Sequence, residues 1–136
     1  MDRVVFACRH NAGRSQMAAA FFARAADAGR AQAVSAGTTP AERVHPEVAQ
    51  AMAERGIDLS SARPRLLTPE LAAGAGLLVT MGCGEECPLV PGVEVQDWAL
   101  DDPKGQPVER VRAIRDEIER RVEGLVAARG WRRGGA

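Results

Sequence analysis

The chain has 136 residues, enough for one domain with its own core and too few for two. Hydrophobic residues make up 46% and charged residues 26%, the composition of an ordinary globular domain. Lys plus Arg equal Asp plus Glu at 18 each, which excludes a global charge suited to nucleic acid or an anionic membrane, so any anion binding has to be local.

No stretch reaches the roughly 20 apolar residues of a membrane span. The polar start at Asp2-Arg3, followed by a short apolar run, is unlike a signal peptide. A cytoplasmic protein is expected, with neither nucleic acid nor membrane as partner. Three cysteines in that compartment point to redox or metal chemistry rather than a disulfide framework, and the odd number leaves one thiol without a permanent partner. Tyrosine is absent, and Lys104 is the single lysine.

In chain order, Val4-Val5-Phe6-Ala7 reads as a strand and 15–29 as a helix. Residues 31–37 form a short strand closed by Gly37. His45-Pro46-Glu47 opens a helix that runs to Gly56 with Val48 and Met52 facing inward, and 56–65 is a loop. Thr68-Pro69-Glu70 starts a short helix with Thr68 as its cap, ending near Gly74-Ala75-Gly76. Leu77 to Met81 is a continuous apolar strand of the kind buried on both faces. Residues 82–92 are a loop with room for one helical turn, 93–100 a strand, and 101–107 a loop.

Pro107 opens the last helix, where Val108, Val111, Ile114 or Arg115, Ile118, Val122 and Leu125 recur at helical spacing. Glu109, Arg110, Arg112, Arg115, Asp116, Glu119 and Arg120 read as its charged outer surface. The domain is expected over 1–130, with 131–136 a frayed, flexible tail. Strands alternating with helices give an α/β fold: one domain with a four-stranded parallel sheet and helices on both faces. In such sheets ligands bind beyond the carboxyl ends of the strands. Residues 8–15, 82–92 and 101–105 each follow a strand, so one pocket is implied.

The stretch "CRHNAGRS", residues 8–15, joins the first strand to the first helix. A loop at a helix N-terminus presents unpaired amides and the positive end of the helix dipole, a cradle for a tetrahedral oxyanion. Arg9, His10, Asn11, Ala12, Gly13, Arg14 and Ser15 would form it. Arg14 adds a planar fork for two oxygens. Asn11 suits a left-handed turn, and Gly13 lets the chain curl close to the anion. The same field stabilises negative charge on Cys8, making it a nucleophile aimed at the bound oxyanion, with Ser15 in place to donate a hydroxyl to its sulfur.

"CRHNAGRSQMA" resembles the phosphate loop of the low-molecular-weight tyrosine phosphatases, and more closely that of the thioredoxin-coupled arsenate reductases sharing their fold. "SAGT" (35–38), "LLVTMGCGEECP" (77–88) and "WALDDPKG" (98–105) extend the resemblance over nearly the whole chain. It implies Cys8 as nucleophile, Arg14 and the loop amides as oxyanion site, Asn11 as support for the loop, Ser15 as stabiliser of the thiolate, and Asp102, before Pro103, as general acid. Two departures stand out. Several such reductases carry a potassium-binding glutamate where this chain has Ala19, so the resemblance does not carry a potassium site over to this chain. Their second and third cysteines are also often farther apart than Cys83 and Cys87.

Both branches of the resemblance use Cys8, Arg14 and Asp102, so other residues decide. A phosphotyrosine site needs an apolar wall, and the phosphatases usually place Tyr after Asp-Pro, where this chain has Lys104. Arg9 and His10 suit a small hydrophilic anion. Cys83 and Cys87, if on one helical turn, would have Cα atoms about 6 Å apart, within disulfide range.

Arsenate bound to Cys8 could then leave as arsenite when Cys83 attacks the Cys8 sulfur, with Cys87 passing the oxidation to an external thiol reductant. Thioredoxin is favoured by the two extra thiols, and mycothiol or glutathione with glutaredoxin is the alternative. No bound cofactor or metal is expected. A zinc site needs four ligands, and His10 and His45 are the only histidines. A sensor holding soft ions through three thiolates leaves Arg14 and the cradle unused. His45 reads as an exposed cap, Trp98 as core, Asp97 as solvated or structural, and Asp101 as a competitor of Asp102 for the acid role.

Overall fold

The computed structural model describes residues 2–82 and 91–134. In chain order the elements are β1 (Asp2–Cys8), α1 (Arg14–Ala25), β2 (Ala31–Gly37), α2 (Pro46–Ala53), α3 (Pro69–Ala73), β3 (Leu77–Thr80), β4 (Glu94–Asp97) and α4 (Val108–Arg129). The strands form one parallel sheet in the order β2-β1-β3-β4. Each parallel neighbour needs a crossover that packs on the sheet, which is why strands and helices alternate along the chain.

β1 lies second in the sheet and is buried from Val4 to Cys8, as its unbroken apolar run requires. Val4, Phe6, Leu77 and Val79 face the larger core, shared with α1, α2 and α4. Val5, Ala7 and Leu78 face the smaller one, closed by Leu67, Ala72 and Ala75 around α3. Thr68 caps α3 by accepting a hydrogen bond from the Leu71 amide at 3.1 Å, as its place before Pro69 predicts. Trp98 is core, with its ring 5.8 Å from that of Phe6.

The register sets the carboxyl ends level. Cys8 is opposite Gly37, Ala7 opposite Thr80, and Thr80 opposite Asp97. Three of the connections that leave this edge carry the residues singled out above. A further segment hooks onto the end of β2: the Gly37 amide donates to the Arg65 carbonyl at 2.9 Å, and the Leu67 amide to the Gly37 carbonyl at 2.8 Å.

Two expectations are corrected. Residues 131–133 are docked, not frayed. Trp131 is buried against Phe22, its ring nitrogen donates to Asp2 at 3.0 Å, and Arg132 forms an antiparallel bridge with Ala26. A buried indole with a satisfied N–H outweighs the Gly-rich flanks, and the bridge also ends α1 at Ala25, short of residue 29. Arg115 is likewise buried rather than part of the charged surface. Its guanidinium donates to the Ala51 carbonyl at 2.9 Å and to Glu54 at 2.8 Å, tying α2 to α4. The Arg112 and Arg115 guanidiniums hold the Glu54 carboxyl down at about 2.

Candidate active site

Cys8 ends β1 with its side chain buried, and the chain then turns through 9–13 into α1. The turn is possible because Asn11 takes the left-handed conformation, φ 50°, which Asn tolerates better than most residues. Gly13 is the N-cap of α1, and no side chain caps the helix. The first intrahelical bond runs from the Met17 amide to the Gly13 carbonyl at 3.0 Å. The amides of Arg14, Ser15 and Gln16 therefore precede the helical ladder and sit at its positive end. Gly13 is needed for a reason beyond loop curvature. A Cβ on it would come within 2.9 Å of Pro103 Cγ.

The polar contacts that lead to Cys8 form a chain whose first two bonds have a definite direction. The Arg65 amide donates to Asn11 Oδ1 at 2.9 Å, which fixes the oxygen of that carboxamide. Asn11 Nδ2 then faces Ser15 Oγ and donates to it at 2.7 Å. Cys8 Sγ lies 2.9 Å from the same hydroxyl, and a thiolate there, with no proton of its own to give, would take the Ser15 O–H as donor. Asn11 and Ser15 are both fully buried, so this chain of donors works at low dielectric, where hydrogen bonds are electrostatically stronger.

Arg14 is buried at the start of α1 and reaches toward the two other loops. Its guanidinium donates to the Leu100 carbonyl at 3.0 Å and lies 3.6 Å from Asp102 Oδ2. It also lies against the root of the 82–92 connection. Gly82 has φ +89°, and a Cβ there would sit 2.2 Å from the guanidinium. Arg14 Nε is buried and has no hydrogen-bond partner among the described residues. A buried guanidinium N–H without an acceptor is costly, and an oxyanion in the cradle would supply one.

The adjacent acids are separated by their partners. Asp102 takes the Lys104 amide on Oδ1 at 3.0 Å and turns Oδ2 to Arg14. Asp101 pairs with Arg110 at the start of α4. Asp97 accepts from Thr80 Oγ1 at 2.7 Å, a structural contact.

Arg9 is exposed and His10 half-buried, with His10 Nδ1 donating to the Thr39 carbonyl at 3.1 Å. Ala12 is buried, and its carbonyl accepts the His45 amide at 2.9 Å. Cys83 and Cys87 lie outside the described residues. So of the residues read from sequence, Cys8, Asn11, Arg14, Ser15 and Asp102 are brought together, with the loop backbone around them. Among the described residues no cluster of three or more His, Cys, Asp or Glu side chains could hold a metal, and no helix is long and apolar enough to cross a membrane.

Four contributors had no clear signal. Leu100 acts through its carbonyl, which sequence does not distinguish. Gly82 sits in a Gly-Cys-Gly run that reads simply as a loop. Gln16 is a polar residue in a first helical turn, a position usually solvated, yet it is buried beneath the loop. His45 is the N-cap residue of α2 but makes no side-chain cap, and it is half-buried instead of exposed. Burial pushes its imidazole below the usual histidine range, against the pull of Glu47 and Asp102.

A buried thiol at a strand end, an arginine six residues on and a cradle of amides make up a candidate oxyanion site at the edge of an α/β sheet. Residues 3–130 match the family of low molecular weight phosphotyrosine protein phosphatases, and the chain belongs to that family. Its relatives narrow the branch to the arsenate reductases. A glutaredoxin arsenate reductase of Synechocystis sp. is 36% identical over 130 residues, covering 93% of this chain and 98% of that protein. A thioredoxin-dependent arsenate reductase of Corynebacterium glutamicum superposes with a TM-score of 0.82 at 37% identity, over 94% of this chain. This chain spans 61% of the length of that one. An arsenate reductase in its phosphate-binding state has a TM-score of 0.80 at 34% identity, over 94% of this chain and 98% of that one.

Proposed function

We propose that the protein reduces arsenate to arsenite through a relay of its three thiols, Cys8, Cys83 and Cys87, with thioredoxin as the external reductant. The observation that carries the first step is the hydrogen-bond chain from Arg65 through Asn11 and Ser15 to Cys8 Sγ, beside an arginine N–H that lacks an acceptor among the described residues. Hydroxyl donation to the sulfur favours its anionic form. The loop amides and Arg14 hold the arsenate oxygens.

Cys8 Sγ attacks arsenic, and an oxygen departs as water with a proton from Asp102. A Cys8 S–As(V) bond results. Cys83 thiolate then attacks Cys8 Sγ, and the S–As bond breaks with its electron pair left on arsenic. Arsenic is thereby reduced from As(V) to As(III) and leaves as arsenite, while a Cys8–Cys83 disulfide forms. Cys87 attacks the Cys83 sulfur and frees Cys8, and the Cys83–Cys87 disulfide is reduced by the dithiol of thioredoxin.

The name of the Corynebacterium structure supports a thioredoxin partner, whereas that of the Synechocystis relative speaks for glutaredoxin as the competing reductant. Two observations weigh against the phosphatase branch: Lys104 stands after Asp102-Pro103, and the chain has no tyrosine to wall an aromatic ring. The decisive experiment measures NADPH consumption with thioredoxin and thioredoxin reductase, with arsenate present or omitted. Arsenate-dependent consumption that disappears in Cys8→Ser is expected. Consumption absent from the wild type with thioredoxin, and also with the glutathione–glutaredoxin and mycothiol systems, while p-nitrophenyl phosphate is still hydrolysed, would return the protein to the phosphatases.

A further inference from the structure

Gln16 is buried beneath the oxyanion loop, and its carboxamide nitrogen faces three oxygens: the Asn11 carbonyl at 3.0 Å, Asn11 Oδ1 at 3.3 Å and the Arg63 carbonyl at 3.3 Å. The orientation of Asn11 is fixed by the Arg65 amide, so all three neighbours are acceptors. The group facing them has to be the NH2, since the oxygen of Gln16 in that place would be repelled by all three. One carboxamide thus holds both the backbone and the side chain of the residue whose left-handed conformation shapes the loop, and joins it to the segment hooked onto β2.

We propose that Gln16 is a positioning residue for the oxyanion site: its NH2 holds Asn11 so that Asn11 Nδ2 stays on Ser15, and Ser15 on the Cys8 sulfur. The inference rests on the reading of 8–15 as an oxyanion site. Gln16 touches neither the sulfur nor the anion, so its effect travels only through Asn11. Without the NH2 the Asn11 and Arg63 carbonyls lose this donor, Asn11 Oδ1 keeps the Arg65 amide, and the left-handed turn at Asn11 loses a contact that opposes its relaxation.

Two near-isosteric variants separate the donor from the packing. Gln16→Met keeps the volume and removes the donor. Gln16→Glu keeps the shape but places a second acceptor before the three oxygens whenever it is ionised, and restores an O–H donor when protonated. The readouts are kcat/KM for arsenate with thioredoxin and the inhibition constant of inorganic phosphate, each as a ratio of variant to wild type between pH 5 and 8. Gln16→Met is expected to lower kcat/KM roughly tenfold at every pH, the order expected for losing a buried hydrogen bond. The Gln16→Glu ratio is expected to be lower still at pH 8 and to climb toward the acid end.

Arg63 and Arg65, whose backbone groups face this position, stay charged throughout. Gln16→Met brings no ionisable group to the site, so the Gln16→Glu ratio is read against that of Gln16→Met, which carries whatever the loss of the donor does to the other groups of the site, Cys8, His10 and His45. Gln16→Met at the wild-type rate, or a Gln16→Glu ratio flat with pH, would overturn the assignment. A wild type that binds neither arsenate nor phosphate would overturn it together with the oxyanion reading. One measurement needs no variant. By NMR, the Gln16 side-chain NH2 of the wild type should exchange with solvent at least tenfold more slowly than those of the exposed Gln50 and Gln106. Equal rates would also overturn the assignment.

Discussion

Asp101 and Asp102 are consecutive carboxylates with unlike surroundings, and the difference decides which one can serve the reaction. Asp101 is drawn toward α4 by Arg110, whereas Asp102 has one oxygen held by the Lys104 amide and the other turned to Arg14. A proton donor to the departing oxygen has to stand where the oxyanion is held, and of the two carboxylates Asp102 is the one beside Arg14. Asp102→Asn is expected to slow formation of the Cys8 adduct by about 10²–10⁴-fold, measured as single-turnover arsenate consumption or as the burst with p-nitrophenyl phosphate. Asp101→Asn should stay within about threefold of wild type, since it removes only an exposed ion pair. The opposite order would move the acid by one residue.

Among the elements, the connections matter more than the strands they follow, because Arg14 fastens three of them at one point. It belongs to α1, donates to the Leu100 carbonyl after β4, and lies against Gly82 after β3. Gly82→Ala is therefore expected to push the guanidinium out of place and weaken phosphate inhibition at least tenfold, about the worth of one charge-assisted hydrogen bond. Gly92 is the matched control, with φ +85° and open space where a Cβ would go. Gly92→Ala carries the same backbone strain, so it should lose stability but not phosphate affinity. Equal effects of the two would mean that Gly82 matters only as a turn.

That comparison also shows where sequence reading ends. The alternation of apolar strands and capped helices foretold the sheet, and the thiol–arginine spacing foretold the loop, because both are local patterns. Gly82, Leu100 and Gln16 matter through what the fold brings against them, and Arg115 and Trp131 through partners 64 and 129 residues away. No local pattern carries that information.

For the molecule as a whole, the sheet edge collects the 8–15 loop, the Asp102 loop and the root of the segment that carries Cys83 and Cys87, and the proposed relay would run between the first and the last of these. Phosphate ester hydrolysis needs only Cys8, Arg14 and Asp102, so Cys83→Ser and Cys87→Ser should each leave p-nitrophenyl phosphate turnover within about twofold of wild type. That equality also certifies that both variants are folded, which lets the reductase data be read as chemistry. Without Cys83 the Cys8 adduct has no internal attacker, and thioredoxin-dependent turnover of arsenate should fall to a trace. Without Cys87 the reaction should run once and stop, leaving a Cys8–Cys83 disulfide detectable by mass spectrometry of non-reduced peptides. Wild type given one equivalent of arsenate and no reductant should instead hold Cys83 joined to Cys87, with Cys8 open to alkylation. If the double variant Cys83→Ser, Cys87→Ser still reduces arsenate at the full thioredoxin-dependent rate, the three-thiol relay is wrong. Full activity of that variant with mycothiol or glutathione would make the protein a one-cysteine enzyme that hands its adduct directly to a small thiol.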